Sequence, residues 1–312
     1  MVMTPSLKTR IGDLELANPI LLASGTCGYG TELTPFVDLG LVGGFVTKGI
    51  SVKERKGNPP PRIVETPAGM LNAIGLQNVG LEAFLKDKLP AIQKLPLACI
   101  VNIYGNTFEE YIELAETLGD KQGVHGIEIN LSCPNVKQGG VEFGQDPEVM
   151  RRLVKEVRAV SRCTLLVKLS PNVADVRPFV QAAEEGGADA TSLINTLRGM
   201  EIDVHQRRPV LGNISGGLSG PAIRPVALYQ VFRASEVASR PVVGMGGIET
   251  WEDVVRFLLA GATAVQVGTA LFRNPAAPVD MMEGLKSHLI SQGMSNIQSL
   301  TGSLKLPEQK SC

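Results

Sequence analysis

Eight short apolar runs, each bounded by Gly, Pro, Ser or Asn, constrain this chain more than any other feature. They are Pro19–Ser24, Gly44–Ile50, Leu97–Ile103, Gly126–Leu131, Thr164–Leu169, Ala190–Asn195, Pro241–Gly244 and Ala264–Gly268, and their length and residue types predict strands. Between most of them lie segments of helical periodicity: Leu81–Gln93, Thr107–Leu118, Pro147–Ser161, Val173–Glu185, Pro221–Ala238 and Thr250–Ala260, with a last one near Pro278–Ser291. Asp146 before Pro147, and Thr250 before an acidic turn, have the form of helix N-caps. Strands alternating with helices imply a parallel sheet covered by helices, and eight such units predict an α/β fold of the (β/α)8 TIM-barrel type.

The 312 residues are 44% hydrophobic and 20% charged, enough to bury a large core without metal or disulfide staples. One segment, Gly57–Asn78, breaks the rhythm after the second run; its Pro59-Pro60-Pro61 and glycines predict an irregular or hairpin insertion over the barrel mouth. The whole of 1–312 therefore reads as one domain. A formal net charge of −1 argues against a nucleic-acid or polybasic membrane partner. With no apolar run fit for a signal peptide or a membrane span, a cytoplasmic location is expected. Cys27, Cys99, Cys133, Cys163 and Cys312 are widely spaced and form no C-x-x-C, so neither a disulfide framework nor a zinc or iron–sulfur site is indicated.

A barrel of this kind does its chemistry at the C-terminal ends of its strands. The polar residues closing the runs are Ser24, Lys48, Asn102, Asn130 with Cys133, Lys168, Asn195 with Thr196, Gly246-Gly247 and Gly268-Thr269. Loops after the seventh and eighth strands of barrels often bind phosphate, and glycine lets the backbone approach the anion closely. Gly244-Met245-Gly246-Gly247 and Gly268-Thr269 fall at those places, and Gly216-Gly217-Leu218-Ser219-Gly220 is a third candidate loop. No Walker A pattern and no Rossmann fingerprint is present, so the phosphate would belong to a mononucleotide or a sugar.

Two lysines at one rim, Lys48 and Lys168, point to an anionic ligand. Asn72, Asn102, Asn130 and Asn195 suit flat amide-rich rings, because each amide offers both donors and acceptors. No histidine closes a strand, which leaves Cys133, in Asn130-Leu131-Ser132-Cys133-Pro134-Asn135, as the best proton acceptor. Cys27, just after the first strand, is its rival, whereas Cys99 and Cys163 read as inert packing residues.

These motifs, with Asn18-Pro19-Ile20-Leu21-Leu22-Ala23-Ser24-Gly25, Thr47-Lys48-Gly49, Asn72-Ala73-Ile74-Gly75-Leu76-Gln77-Asn78, Lys168-Leu169-Ser170-Pro171 and Ile194-Asn195-Thr196, closely resemble the dihydroorotate dehydrogenase family over essentially the whole chain. The resemblance implies FMN held by Ser24, Lys48, Gly49, Asn102, Asn130, Lys168, Ile194, Gly220, Gly246, Gly247, Gly268 and Thr269. It implies dihydroorotate held by Lys48, Asn72, Ala73, Ile74, Gly75, Leu76, Asn130, Asn195 and Thr196. Cys133 would take a proton from C5 while hydride leaves C6 for the flavin, giving orotate, with Lys168 stabilising negative charge on the reduced flavin.

A cysteine base is similar to class 1, and the Asn58-Pro59-Pro60-Pro61-Arg62 insertion resembles the NAD-linked class 1B more than the fumarate-using class 1A. Class 1B implies a partner electron-transfer subunit carrying FAD and a [2Fe-2S] cluster, and a homodimer of this chain within a heterotetramer. Two further readings use the same residues: a flavin-free aldolase or isomerase acting on a phosphorylated metabolite, and a non-catalytic barrel serving as a binding subunit.

Overall fold

A computed structural model of the chain describes residues 4–131 and 144–307, together with two short strands, Lys137–Gln138 and Val141–Glu142. Eight parallel strands pair in chain order and close into a barrel. They are β1 (Ile20–Leu22), β2 (Gly44–Val46), β3 (Ala98–Ile103), β4 (Gly126–Asn130), β5 (Thr164–Lys168), β6 (Ala190–Leu193), β7 (Val242–Met245) and β8 (Ala264–Val267). Each overlaps one of the eight apolar runs.

Side chains alternate across a strand, and here the alternation separates two apolar layers. Leu21, Val46, Ile100, Leu166, Ala190, Val243 and Ala264 form one cluster inside the barrel. Their neighbours in sequence, such as Leu22, Phe45, Val101, Leu165 and Val265, pack outward in the larger cluster shared with the helices. An antiparallel hairpin, Thr9–Ile11 with Leu14–Leu16, adds Ile11 and Leu16 to the inner cluster. Its turn glycine, Gly12, lies against Asp189 and Thr164 at the starts of β6 and β5, so the hairpin closes the N-terminal end of the barrel.

The helix caps follow the residue chemistry. Thr107 accepts from Glu110 N at the start of Phe108–Leu118, and Asp146 accepts from Glu148 N and Val149 N at the start of Pro147–Val160. Two boundaries differ from expectation. The helix expected from Val173 begins at Arg177, because Asp175 accepts from the Arg177 amide at 3.1 Å and Pro178 sets the first turn there. The segment expected as Leu81–Gln93 is helical from Gly80 to Ile92 but widens into a π turn over Phe84–Lys88; Pro90 has no amide to return to the carbonyl of Lys86.

The insertion after β2 contains a hairpin, Ile63–Thr66 with Gly69–Asn72, as expected. It is extended by Gly216–Ser219 and Leu197–Gly199 into a four-stranded antiparallel sheet. Gly216–Ser219, the first part of the third candidate loop, is thus a strand paired with Met70–Asn72 on one side and Leu197–Gly199 on the other, and Gly220 follows its end. Its glycines serve packing, since a Cβ on Gly217 would collide with Thr196 Oγ1. The contributing segments leave the C-terminal ends of β2 and β6, so this sheet stands over the end of the barrel where chemistry is expected.

Candidate active site

One layer above the apolar interior, the barrel turns polar. Asn102 on β3 lies beside Glu128 on β4, and Lys168 on β5 beside Ser192 on β6. Glu128 is fully buried and accepts three hydrogen bonds: from Asn102 Nδ2 at 2.8 Å, Ser192 Oγ at 2.8 Å and Gln266 Nε2 at 2.7 Å. The buried Lys168 ammonium lies 3.9 Å from the same carboxylate. Asn102 and Gln266 spend their amide donors on Glu128, and their carbonyl oxygens have no partner among the described residues. Buried acceptors are normally satisfied, so two orphans in one layer mark a place where a ligand supplies donors.

Of this cluster, Asn102 and Lys168 are among the residues expected from the sequence, whereas Glu128, Ser192 and Gln266 are not. The signal was present in Gly-Ile-Glu-Ile-Asn and Ala-Val-Gln-Val, where a polar residue interrupts a strand of apolar neighbours.

At the mouth, Asn195 Nδ2 donates to Asn130 Oδ1 at 3.4 Å, and Tyr111 OH donates to the Asn130 carbonyl at 2.8 Å. Thr196 follows, its amide donating to Asn195 Oδ1 at 2.8 Å. The Asn72–Leu76 segment is fixed at several points. Asn72 Nδ2 donates to the Gly217 carbonyl at 3.3 Å, Ala73 is buried with Leu71 and Leu211, and the Ile74 carbonyl accepts from Asn58 N at 3.0 Å. Gly75 has φ +73°, and Leu76 has φ +57°, a left-handed conformation costly for leucine. Asn78 Nδ2 and Tyr104 OH both donate to the Leu76 carbonyl, at 2.9 and 3.2 Å, and hold it there.

Lys48 follows β2 and is partly buried at the same mouth. Burial holds its ammonium below the ordinary lysine value; the nearby Arg62 guanidinium adds to this and Glu32 opposes it. Gly49 is needed as glycine because a Cβ there would sit 2.9 Å from Asn102 Oδ1, one of the two orphan acceptors.

The glycine-rich end is assembled from three connections. Gly246 and Gly247 have φ +123° and +73°, conformations open to glycine. A Cβ on Gly247 would meet Arg224 Cβ at 2.7 Å and the Gly220 carbonyl at 2.8 Å, and one on Gly246 would meet Ile194 Cγ1 at 3.3 Å, so Gly220 and Ile194 border this loop. Thr269 Oγ1 donates to Ser219 Oγ at 2.8 Å, tying the loop after β8 to the four-stranded sheet. At Gly268 a Cβ would find nothing closer than 3.5 Å, and Ser24, after β1, is partly exposed.

Cys133, the expected proton acceptor, and most of the loop that follows β4 lie outside the described residues. Cys27 is buried and directs its thiol at the Ala23 and Val46 carbonyls, at 3.6 and 3.4 Å. Burial, with Glu32 nearby, pushes that thiol up to about 12, which removes it as a base near neutral pH. Cys99 packs in the outer apolar cluster, as expected of an inert residue.

A family model described as dihydroorotate dehydrogenase matches residues 6–289, more than half of the chain. The chain belongs to the dihydroorotate dehydrogenase family. It is 54% identical over 303 residues to the dihydroorotate dehydrogenase B (NAD(+)), catalytic subunit, of Trichlorobacter lovleyi, covering 97% of this chain and 100% of that one. The protein of the same name from Geotalea daltonii is 52% identical over 302 residues, covering 97% and 99%. That of Thermodesulfovibrio yellowstonii is 50% identical over 301 residues, covering 96% and 99%. Family membership and the closed barrel agree with the resemblance drawn from the motifs. No described helix is long and apolar enough to cross a membrane.

Proposed function

We propose that this chain is the FMN-carrying catalytic subunit of an NAD-linked dihydroorotate dehydrogenase, oxidising dihydroorotate to orotate for pyrimidine synthesis in the cytoplasm. The family match over residues 6–289 carries this reading. The NAD(+) in the relatives' names favours the class 1B form over the fumarate-linked one. A flavin-free aldolase or isomerase would leave the family match unexplained. In this reading residues 1–312 form one FMN-binding domain.

The residues present fit FMN. Asn102 Oδ1 and Gln266 Oε1 are acceptors awaiting donors, Gly49 leaves room beside Asn102, a Cβ on Gly268 would find nothing closer than 3.5 Å, and Gly220, Gly246 and Gly247, with Thr269 tied to neighbouring Ser219, offer a cradle suited to a phosphate. Ser24, Lys48, Asn130, Lys168 and Ile194 complete the set assigned to the cofactor. When bound, FMN supplies the acceptor for the hydride that leaves C6 of the substrate.

The protein's own part is to bind, orient and deprotonate. Lys48 meets the substrate carboxylate, while Asn72, Asn130, Asn195 and Thr196 hold the ring amides, and the Ala73–Leu76 backbone forms the wall beside it. Cys133 takes the C5 proton. Lys168 places a fixed positive charge where electron density accumulates. The reading calls for a partner subunit, carrying FAD and a [2Fe-2S] cluster, that would supply the route to NAD, with two copies of this chain in a heterotetramer; the words "catalytic subunit" in the relatives' names support a partner.

The deciding experiment is an anaerobic spectrum. The purified chain should show a flavin band near ~450 nm that bleaches on addition of dihydroorotate. A Cys133→Ala variant should keep the band but bleach about 10²–10⁴-fold more slowly. A colourless chain that takes up no added FMN would overturn the flavin assignment, and near-normal bleaching in the variant would overturn Cys133 as the base.

A further inference from the structure

The buried carboxylate of Glu128 lies inside the barrel, below the strand ends that carry the residues assigned to cofactor and substrate. Its bonding is nevertheless selective. Oε1 accepts from Asn102 and Oε2 from both Ser192 and Gln266, while Lys168 stands 3.9 Å from Oε1. An amide can turn either its NH2 or its oxygen toward a neighbour, but toward a carboxylate only the NH2 is attractive. A carboxylate at 128 therefore forces both amides to direct NH2 at it, which frees Asn102 Oδ1 and Gln266 Oε1 as acceptors. Both oxygens are buried and lack a partner among the described residues, and Asn102 Oδ1 lies close to the Gly49 backbone. The same negative charge offsets the ammonium of Lys168, whose side chain is 7% exposed.

We infer that Glu128 is a positioning residue that sets the hydrogen-bonding polarity of the barrel floor and tempers the charge of Lys168, so that it controls how strongly the site favours reduced over oxidised flavin. This rests on the flavin reading above. Three donors and an ammonium converge on one side chain that a barrel core would otherwise fill with Leu or Val, and removing either sign of a buried pair leaves the other uncompensated. Asn102 and Gln266 donate to different oxygens of Glu128, and in a glutamine at 128 one of those two positions becomes an NH2, which would face an amide donor. One of those amides must turn over, and Lys168 loses its counter-charge.

The test is the reduction midpoint of FMN bound to wild type, Glu128→Gln and Ser192→Ala. Glu128→Gln should raise the preference for reduced over oxidised FMN about tenfold or more, a positive shift of roughly 30 mV for a two-electron couple. Ser192→Ala, which removes one bond and no charge, should shift it much less. If Glu128→Gln does not fold, the comparison is made between Lys168→Met and Glu128→Gln/Lys168→Met, where loss of the carboxylate must again shift the midpoint positive. An unchanged or more negative midpoint in either comparison overturns the inference.

If the wild-type chain takes up no FMN, the flavin reading falls on its own, and the amide orientation is read by NMR of the selectively labelled chain. Slowly exchanging side-chain NH2 protons of Asn102 and Gln266 in the wild type, with at least one pair lost in Glu128→Gln, would uphold Glu128 as the orienting group. Persistence of both pairs would overturn it.

Discussion

Lys48 and Gly247, both assigned to the proposed site, differ in what each would contribute to it. Lys48 keeps its ammonium at some cost, since burial and the Arg62 charge hold it below the ordinary lysine value. An anionic ligand favours the charged form, so binding is full while Lys48 is protonated and weakens as pH rises through its depressed value. The dissociation constant of orotate, titrated through the flavin spectrum, should thus climb on the alkaline side, and Lys48→Arg should flatten that climb. A flat wild-type profile would remove Lys48 from the substrate site. If Cys133 is the base as proposed, flavin reduction should also speed up as pH rises through a thiol's range, about 8.5. Gly247 contributes shape alone. Gly247→Ala places a side chain at φ +73° against Arg224 and the Gly220 carbonyl. The left-handed backbone costs about 1–2 kcal/mol before any collision, so the purified variant should carry markedly less FMN per chain; full occupancy would count against the phosphate cradle.

The helix Trp251–Leu259 is the element on which that cradle leans. Its N-terminus is held by Thr250 and Asp253 in a reciprocal capping box, with Asp253 Oδ2 accepting from Glu249 N at 3.0 Å and Thr250 N at 3.2 Å. Asp253 Oδ1 also accepts from Arg224 at 2.8 Å and Arg256 at 2.6 Å, and Arg224 Cβ lies where a side chain on Gly247 would go. One buried aspartate therefore fixes the helix start and the arginine behind the glycine loop. Asp253→Ala should lower stability by about 1–2 kcal/mol, the usual size of a lost cap, seen as a lower thermal midpoint. FMN should also dissociate faster from the variant. Unchanged FMN dissociation would confine Asp253 to a stabilising role.

At the scale of the whole molecule the barrel has an apolar end closed by a hairpin and an opposite end that carries the residues of the proposed site. Ile11 and Leu16, 0% and 2% exposed, close the N-terminal end, with the apolar inner layer between them and the polar floor. Ile11→Ala should cost about 2–5 kcal/mol, as for other large-to-small core changes, while leaving the orotate dissociation constant unchanged in the folded protein. A large change in orotate affinity would mean that the two ends are coupled. The opposite end is roofed by a four-stranded sheet drawn from two distant segments, Ile63–Asn72 and Leu197–Ser219.

The eight strands, most helices and the places of the described rim residues were legible in the sequence because each depends on short-range patterns: apolar runs, helical periodicity, caps, and the polar residue that ends a strand. Glycines at 246 and 247 announced a backbone need by residue type alone. What local pattern could not supply was any fact that depends on closure. Gly216–Ser219 looks like a loop until Met70–Asn72 and Leu197–Gly199 pair with it. Cys27 looks reactive until burial silences it. Glu128 looks like an isolated charge in a strand until the barrel brings Asn102, Lys168, Ser192 and Gln266, from four other strands, around one carboxylate. Periodicity is a property of neighbours along the chain, whereas burial, charge compensation and hydrogen-bond polarity belong to neighbours in space, and those were decided only when β1 and β8 met.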